Sequence, residues 1–333
     1  MNTYISGISY YLPSDTLSNE DINKDFPEWE AEKISNKTGI KNRHIASKNE
    51  FASDMAINAA NKLFDEYKIK KEGIEFIIYC TQSPDYFLPS TACIIQQRLG
   101  LPTSIGAFDF NLGCSGYVYG LSLAKGLISS GMVGNVLLLM ANTYSKYIHP
   151  LDKSNKTIFG DAASATYITS TEGFWNLGEF VWGTDGSGAG NLIVKNNGIR
   201  YRNEEGVDIY DEENKFVKND DYLYMNGGEI FNFTSKAVPK LISNVLLKNN
   251  LTPDKIDIYV LHQANKYMLE FIRRKMKVEK EKFIYNLEKT GNTVSNTIPI
   301  AIKDTCFDAK YEKIILAGFG VGYSWGGCLL TKV

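Results

Sequence analysis

Short apolar runs alternate along this chain with segments whose apolar positions recur every three or four residues, the pattern of strands and helices in turn. In the first half, Ile74-Glu75-Phe76-Ile77-Ile78-Tyr79-Cys80 reads as a buried strand and Thr91 to Leu99 as a helix. A second run, Ile105 to Leu112, ends in the turn Gly113-Cys114-Ser115-Gly116. A small-residue helix follows, Tyr117-Val118-Tyr119-Gly120-Leu121, and then the strand Val136 to Met140. The second half repeats this order. Its strand Ile256 to Leu261 precedes a helix at Lys266 to Lys277 and a strand at Phe283 to Asn286. A glycine turn and helix from Gly291-Asn292-Thr293 then lead to the strand Lys313 to Ala317. Cys114 to Val136 is 22 residues, and so is Asn292 to Ile314. Such runs predict an α/β chain of two duplicated halves, with mostly parallel strands buried on both faces. The boundary falls at Ser170-Thr171-Glu172-Gly173, giving halves 1–172 and 173–333.

The pattern breaks in an excursion at about 191–225. From Lys195 to Asp221 it carries 13 charged residues, eight acidic and five basic, with Gly198 and Gly206 as breakers. That composition predicts a solvated loop or hairpin arm on the core, with a lid over the site, packed through Tyr201, Tyr210 and Phe216, as the lesser alternative.

Composition narrows the function classes. A chain of 333 residues with 44% hydrophobic and 22% charged content can bury a sizeable core. Its net charge of −2 gives no bulk electrostatic case for nucleic acid or an anionic membrane. Five scattered cysteines, Cys80, Cys93, Cys114, Cys306 and Cys328, argue against a disulfide framework and for a reducing compartment. His44, His149 and His262 lack metal-ligand spacing, so no metal site is expected. No basic region precedes an apolar core at the N-terminus, and no apolar run approaches spanning length, so neither a secretory signal nor membrane insertion is expected. The expected location is cytoplasmic.

Cys114 stands out among the reactive side chains. Placed at a strand-to-helix turn, it would meet the positive end of a helix, which favours thiolate. The other four cysteines lie in apolar runs, which predicts that Cys114 alone is strongly nucleophilic. His262 directly follows its strand, and sites in parallel sheets gather at the carboxyl ends of strands. Asn292 occupies the turn pseudo-equivalent to that of Cys114, where an ordinary helix cap is the competing reading. Two chemistries fit a Cys, His, Asn set in this order. One is a papain-like hydrolase; the other is carbon–carbon bond formation on a thioester. The cysteine lacks the Cys-Gly-Ser-Cys-Trp flank of the papain group.

Longer motifs run nearly end to end. They include Thr38-Gly39-Ile40 with Arg43-His44-Ile45-Ala46, Pro89-Ser90-Thr91-Ala92 and Asn111-Leu112-Gly113-Cys114-Ser115-Gly116. Phe159-Gly160-Asp161-Ala162-Ala163, Met225-Asn226-Gly227-Gly228-Glu229-Ile230-Phe231 and His262-Gln263-Ala264-Asn265 come next. Gly291-Asn292-Thr293 and Gly320-Val321-Gly322-Tyr323-Ser324-Trp325-Gly326 complete the set. Taken in this order, the chain resembles the β-ketoacyl-acyl-carrier-protein synthase III family of thiolase-fold condensing enzymes.

The resemblance implies a thiolase-like fold, with duplicated βαβαβ halves layered α/β/α/β/α. It implies that Cys114 carries a primer acyl group as a thioester, while His262 and Asn292 hold the donor's carbonyl as a malonyl group loses carbon dioxide. Backbone N–H groups of Cys114 and Val321 would form the oxyanion hole. Asn265, Gly227, Gly228 and Lys37 would line the pantetheine channel, and Phe87 and Leu88 the primer pocket. Lys266, Arg273, Arg274, Lys275 and Lys277 would offer a docking face to an acidic acyl carrier protein. The implied substrates are acyl-coenzyme A or acyl-carrier-protein thioesters, with no permanently bound cofactor. A homodimer through the sheet edges of the first half is also implied, its Tyr86–Leu88 loop reaching the partner's pocket. Typical members clamp the adenine end of coenzyme A with a tryptophan and an arginine where this chain has Lys33 and Lys37, with Trp29 a turn away. The basic residue usual five positions after the histidine is here Tyr267. A non-condensing acyltransferase on this fold and a catalytically lapsed scaffold homologue are the alternatives.

Overall fold

The computed structural model of the chain describes residues 2–307 and 310–333. The chain opens with β1 (Tyr4–Tyr11), β2 (Asp15–Ser18), α1 (Asn19–Asp25), α2 (Ala31–Thr38) and β3 (Asn42–Ile45). Next come α3 (Ala52–Tyr67), β4 (Phe76–Cys80), α4 (Thr91–Leu99), β5 (Gly106–Phe110) and α5 (Gly116–Ser129). The first half ends with β6 (Asn135–Asn142), α6 (Lys153–Lys156) and β7 (Ala162–Thr169). The second half begins with β8 (Trp175–Thr184), followed by the excursion strands β9 (Leu192–Ile193), β10 (Ile209–Tyr210), β11 (Phe216–Lys218) and β12 (Tyr224–Met225). It continues through α7 (Gly227–Lys248), β13 (Ile258–Leu261), α8 (Lys266–Met276), α9 (Thr297–Thr305), β14 (Lys313–Gly320) and β15 (Ser324–Lys332).

Nine strands share one sheet in the order β13-β14-β15-β8-β1-β7-β6-β4-β5. In the first half β4 pairs parallel with β5 and β6, while β7 runs antiparallel to β6 and β1. The second half repeats the scheme: β13 is parallel to β14, and β15 is antiparallel to β14 and β8. Within the nine-stranded sheet the two halves meet at β1 and β8, where Tyr4 faces Asn176 and Ile5 faces Trp175. The predicted strand at Phe283 to Asn286 is reduced to one parallel bridge, Phe283 with Tyr259. Its ladder stops because Asn286 N–H donates to the Gln263 side chain at 2.7 Å instead of to a neighbouring strand.

Packing sorts the helices into three layers. α5 lies against β4 and β6 of the first half and β8, β14 and β15 of the second, while α9 touches β1, β7 and β13. These two helices therefore form a middle layer between the halves. α3 and α4 cover the outer face of the first half, and α7, with α8 against it, covers the second. The runs that read as strands are buried on both faces, as Val136 to Ala141 and Ile314 to Phe319 show. Each such aliphatic side chain stabilises the fold by roughly 1.5–3 kcal/mol. No helix among the described residues is long and apolar enough to cross a membrane.

Candidate active site

Cys114 lies between β5 and α5, but not on the helix. The sequence predicts a helix starting at the thiol; α5 instead begins at Gly116, with Ser115 as its N-cap. Gly116 N–H closes the turn on the Gly113 carbonyl at 2.8 Å, and Ser115 Oγ meets Ser324 Oγ at 2.5 Å. Two glycines of β14 make room for this turn. A Cβ on Gly318 would stand 2.7 Å from the Cys114 carbonyl oxygen, and one on Gly320 would stand 3.0 Å from Sγ. Tight burial has an electrostatic consequence. Desolvation pushes the thiol up to about 12, against the smaller opposite pull of its own backbone N–H. The expected low-pKa thiolate is thus corrected to a protonated resting thiol. Cys306 is held at about 11 by the same cause, and burial also raises Cys80 and Cys328. Cys93, expected in an apolar setting, is exposed.

His262 follows β13, its N–H bonded to the Ala317 carbonyl at 2.8 Å. The ring packs edge-on against Phe319, with centroids 5.6 Å apart. Nδ1 stands 2.7 Å from Thr297 Oγ1, and that hydroxyl donates to the Val294 carbonyl at 3.1 Å. With the hydroxyl proton so used, Nδ1 is the donor of its contact and Nε2 of the neutral ring is an acceptor. Burial pushes the imidazole down to about 3, partly opposed by a hydrogen bond to the Val294 backbone. The resting pair is therefore neutral thiol and neutral imidazole. Asn292 follows Gly291, which takes a left-handed φ of 67°. Its Oδ1 accepts the Val294 N–H at 2.9 Å, a local cap that leaves the two Nδ2 donors for a ligand. Phe319, between Gly318 and Gly320, links the His262 ring to the Cys114 turn, and Val294 links the Thr297 hydroxyl beside His262 to Asn292. Thr297 and Val294, which orient the imidazole and the amide, carried no signal in the sequence.

Val321 directly follows β14. A Cβ on Gly113 would stand 2.7 Å from Val321 Cγ1, so this residue closes over the cysteine turn. Among the described residues, neither the Cys114 N–H, which faces its own sulfur, nor the Val321 N–H donates to another residue.

Two cavities adjoin the site, one beside the cysteine turn and one beside Asn292. The first, of about 1010 Å³, ends inward at Gln82, Asn111, Tyr144 and Val321 and runs outward past Phe87 and Leu88. Cys114 is not in its wall, but Gln82 and Val321 both press on the neighbouring Gly113. The opposite wall comes from the excursion, through Ile193, Val194 and residues 196–199. Expected as a solvated arm, the excursion is thus also part of the chamber. Leu88 is 83% exposed in the single chain. The second cavity, about 360 Å³, lies between Trp29, Lys33 and Lys37 on one side and Ile158, Asn265 and Tyr267 on the other. Its inner end adjoins the donors, since Ile158 accepts the Asn292 N–H at 2.9 Å. Asn265 also caps α8, its Oδ1 accepting from Met268 N–H at 2.9 Å.

Beside that mouth, a groove of about 620 Å³ is lined by Lys37, Lys266, Tyr267, Phe271, Arg274 and Lys275. Gly39, at φ 75°, lets α2 close on α8, because a Cβ there would stand 2.5 Å from the Lys266 Cβ. Lys275 donates to the Ser235 carbonyl at 2.8 Å, and Lys277 is the exposed C-cap of α8. Arg273 is placed differently from its expected docking role. It bonds the Val278 carbonyl at 2.7 Å and Glu270 at 3.0 Å, which spends the charge inside the helix. Gly227 and Gly228 open α7 at the surface and line none of these three cavities.

Known proteins resemble this chain over nearly its full length. A family model described as 3-oxoacyl-[acyl-carrier-protein (ACP)] synthase III matches residues 108–186, and its C-terminal companion matches residues 246–332. A β-ketoacyl-[acyl-carrier-protein] synthase III of Clostridium perfringens is 35% identical over 332 residues, 99% of both chains. A 2.1 Å crystal structure of a 3-oxoacyl-(acyl-carrier-protein) synthase III superposes with TM-score 0.95 at 46% identity, covering 99% of this chain and 100% of that one. A 3-oxoacyl-(acyl-carrier protein) synthase from Burkholderia xenovorans LB400 gives TM-score 0.89 at 34% identity, with 100% and 94% covered. A buried thiol between two cavities, a neutral imidazole and a tethered amide thus sit on a fold shared end to end with these proteins, and the chain belongs to the β-ketoacyl-acyl-carrier-protein synthase III family of thiolase-fold condensing enzymes.

Proposed function

We propose that the enzyme joins an acyl primer held on Cys114 to a malonyl group on acyl carrier protein, by decarboxylative Claisen condensation. The observation that carries this reading is a buried thiol whose turn is packed by Gln82 and Val321 of the larger cavity, while Ile158 of the smaller cavity holds the Asn292 N–H. In the first half-reaction Sγ attacks the primer thioester as its proton passes to His262 Nε2. The carbonyl oxygen takes the charge between the N–H groups of Cys114 and Val321, and the departing thiolate collects the proton. In the second, the malonyl carboxylate leaves as carbon dioxide and its electron pair enters the thioester as an enolate. Asn292 Nδ2 donates to that oxygen, assisted by His262 when its Nε2 is protonated. The enolate carbon then attacks the acyl group, and Cys114 leaves as a thiolate that takes up one proton from water, which balances the step. The thioesters are the substrates, and no resident cofactor takes part in these steps.

Supporting features fix the other assignments. Asn265 and Lys37 guide the pantetheine arm through the smaller cavity, with Gly227 and Gly228 as outer contacts at the start of α7. Lys266, Arg274 and Lys277 receive an acidic carrier. A second copy of this chain pairs at β5, an edge strand bonded only to β4, and covers the bare Tyr86, Phe87 and Leu88. The two halves, 1–172 and 173–333, are the structural domains, and the protein works in the cytoplasm. The test offers a panel of acyl thioesters and then malonyl carrier protein, reading the mass added to Cys114 and the release of labelled carbon dioxide. Hydrolysis without condensation would overturn the reading.

A further inference from the structure

The excursion is anchored to the body through a contact that the reaction itself does not use. His149 is buried at 9% exposure, next to the loop that supplies Tyr144 and Tyr147 to the large cavity. Its ring stacks on Phe216, the first residue of β11, with centroids 4.2 Å apart and planes 8° from parallel. Tyr222 meets the same ring edge-on at 4.7 Å. Nδ1 accepts the Leu151 N–H at 3.1 Å, so Nε2 carries the proton and faces Asp208 Oδ1 at 3.4 Å. Asp208 in turn accepts from Asn219 at 2.7 Å. One histidine therefore holds both ends of the β10–β11 hairpin.

That hairpin is coupled to the cavity wall. Asn196 N–H donates to the Asp220 carbonyl at 2.9 Å and its side chain to Asp221 at 2.9 Å, while Gly206 N–H donates to the other Asp221 oxygen at 2.9 Å. Residues 196–199, between these ties, face the cavity with Ile199 and Arg202 outermost. Few other attachments fix them, and Ile199 is 74% exposed.

We propose that His149, clasped on Phe216 and Asp208, is a positioning residue that sets the outer wall of the primer chamber and hence the longest primer the enzyme accepts. The proposal rests on the condensing reading above. Loosening the clasp moves the wall outward, so short primers are held less well and longer ones fit. Chemistry at Cys114, on the far side of Tyr144 and Val321, keeps its rate once the primer is bound.

The test measures kcat and KM for acetyl-, butyryl-, hexanoyl-, octanoyl- and decanoyl-coenzyme A with malonyl carrier protein as donor. His149→Ala is expected to raise KM for the preferred primer roughly two- to tenfold, the range of one stacked aromatic pair, at nearly constant kcat. Preference should shift toward longer chains, and His149→Phe, which keeps a stacking ring, should restore most of it. If His149→Ala does not fold, Phe216→Leu on the exposed hairpin carries the same test. An unchanged preference in folded variants overturns the inference, as does an equal loss of kcat for every primer. Absence of any adduct or condensation in the unaltered enzyme would instead sink the condensing reading itself.

Discussion

Two cavities approach the site, one beside the Cys114 turn and one beside Asn292, and they differ in almost every respect. The larger cavity, about 1010 Å³ and proposed to hold the primer, is walled largely by the apolar loop at Phe87 and Leu88 and by the excursion. The smaller cavity of about 360 Å³ sits between α2 and the start of α8 and is rimmed by Lys33 and Lys37. An acyl tail gains by leaving water, whereas a carrier protein and its phosphate-bearing arm need cations at the surface and polar groups within. Division of labour follows from this difference. Groups on the primer side should govern loading of Cys114, and groups on the mouth side should govern decarboxylation and delivery.

The sharpest way to break that division is to delete one group from each side. Cys114→Ala should form no acyl adduct, yet should still release carbon dioxide from malonyl carrier protein, because Asn292 and His262 remain. Asn292→Ala should load primer normally and condense about 10²–10³-fold more slowly, the usual effect of losing one preorganised donor (about 2.7–4 kcal/mol). His262→Ala should fall between, slowing both steps, because Nε2 also takes the thiol proton. Adduct mass and labelled carbon dioxide, measured on each variant, check these outcomes. Near-normal condensation by Asn292→Ala would reduce Asn292 to the cap of Val294.

Resting protonation gives a second test. With the thiol held up to about 12 and His262 down to about 3, the empty site has no ion pair between those values. Thiolate, and hence alkylation of Cys114 by iodoacetamide, should rise about tenfold per pH unit from about pH 6 to about pH 9. A plateau near neutrality would mean that His262 already holds the proton. Peptide mapping must separate Cys114 from Cys93, whose exposure makes it the readier target for a small reagent.

Much of this arrangement is legible in the chain because it rests on local pattern. Uninterrupted apolar runs mark β4, β6, β13 and β14, and the glycine turns mark where Cys114 and Asn292 stand. The rest depends on contacts between distant segments. Nothing near Cys114 in sequence tells that Gly318 and Gly320 will seal it from water, so burial reverses the expected thiol shift. Charge in the excursion reads as solvation, whereas Phe216 finds His149 some 67 positions away in sequence and turns the segment into a wall. Basic residues on α8 look equivalent, but Arg273 bonds the Val278 carbonyl as well as Glu270 and is largely covered, whereas Arg274 is exposed. Side-chain direction on a helix decides that, together with where the chain runs after the helix ends.

That last contrast supplies the finest test of the two openings. Arg274 is exposed and touches only Glu270, at 3.3 Å, so Arg274→Glu removes a surface cation without opening the core. It should lower kcat/KM for the carrier-bound donor roughly two- to fivefold, the scale of one exposed charge contact, and the defect should shrink as salt rises. Loading of primer from coenzyme A, which uses the chamber for its tail, should change less. Arg273→Glu should behave differently, because it also breaks the bond to Val278, at a side chain 16% exposed against 76% for Arg274. Its expected signature is a lower melting temperature that salt does not correct. If instead Arg273→Glu gives the salt-sensitive delivery defect and Arg274→Glu gives none, the cationic face lies on the other side of α8 and the mouth between α2 and α8 is not where the carrier docks.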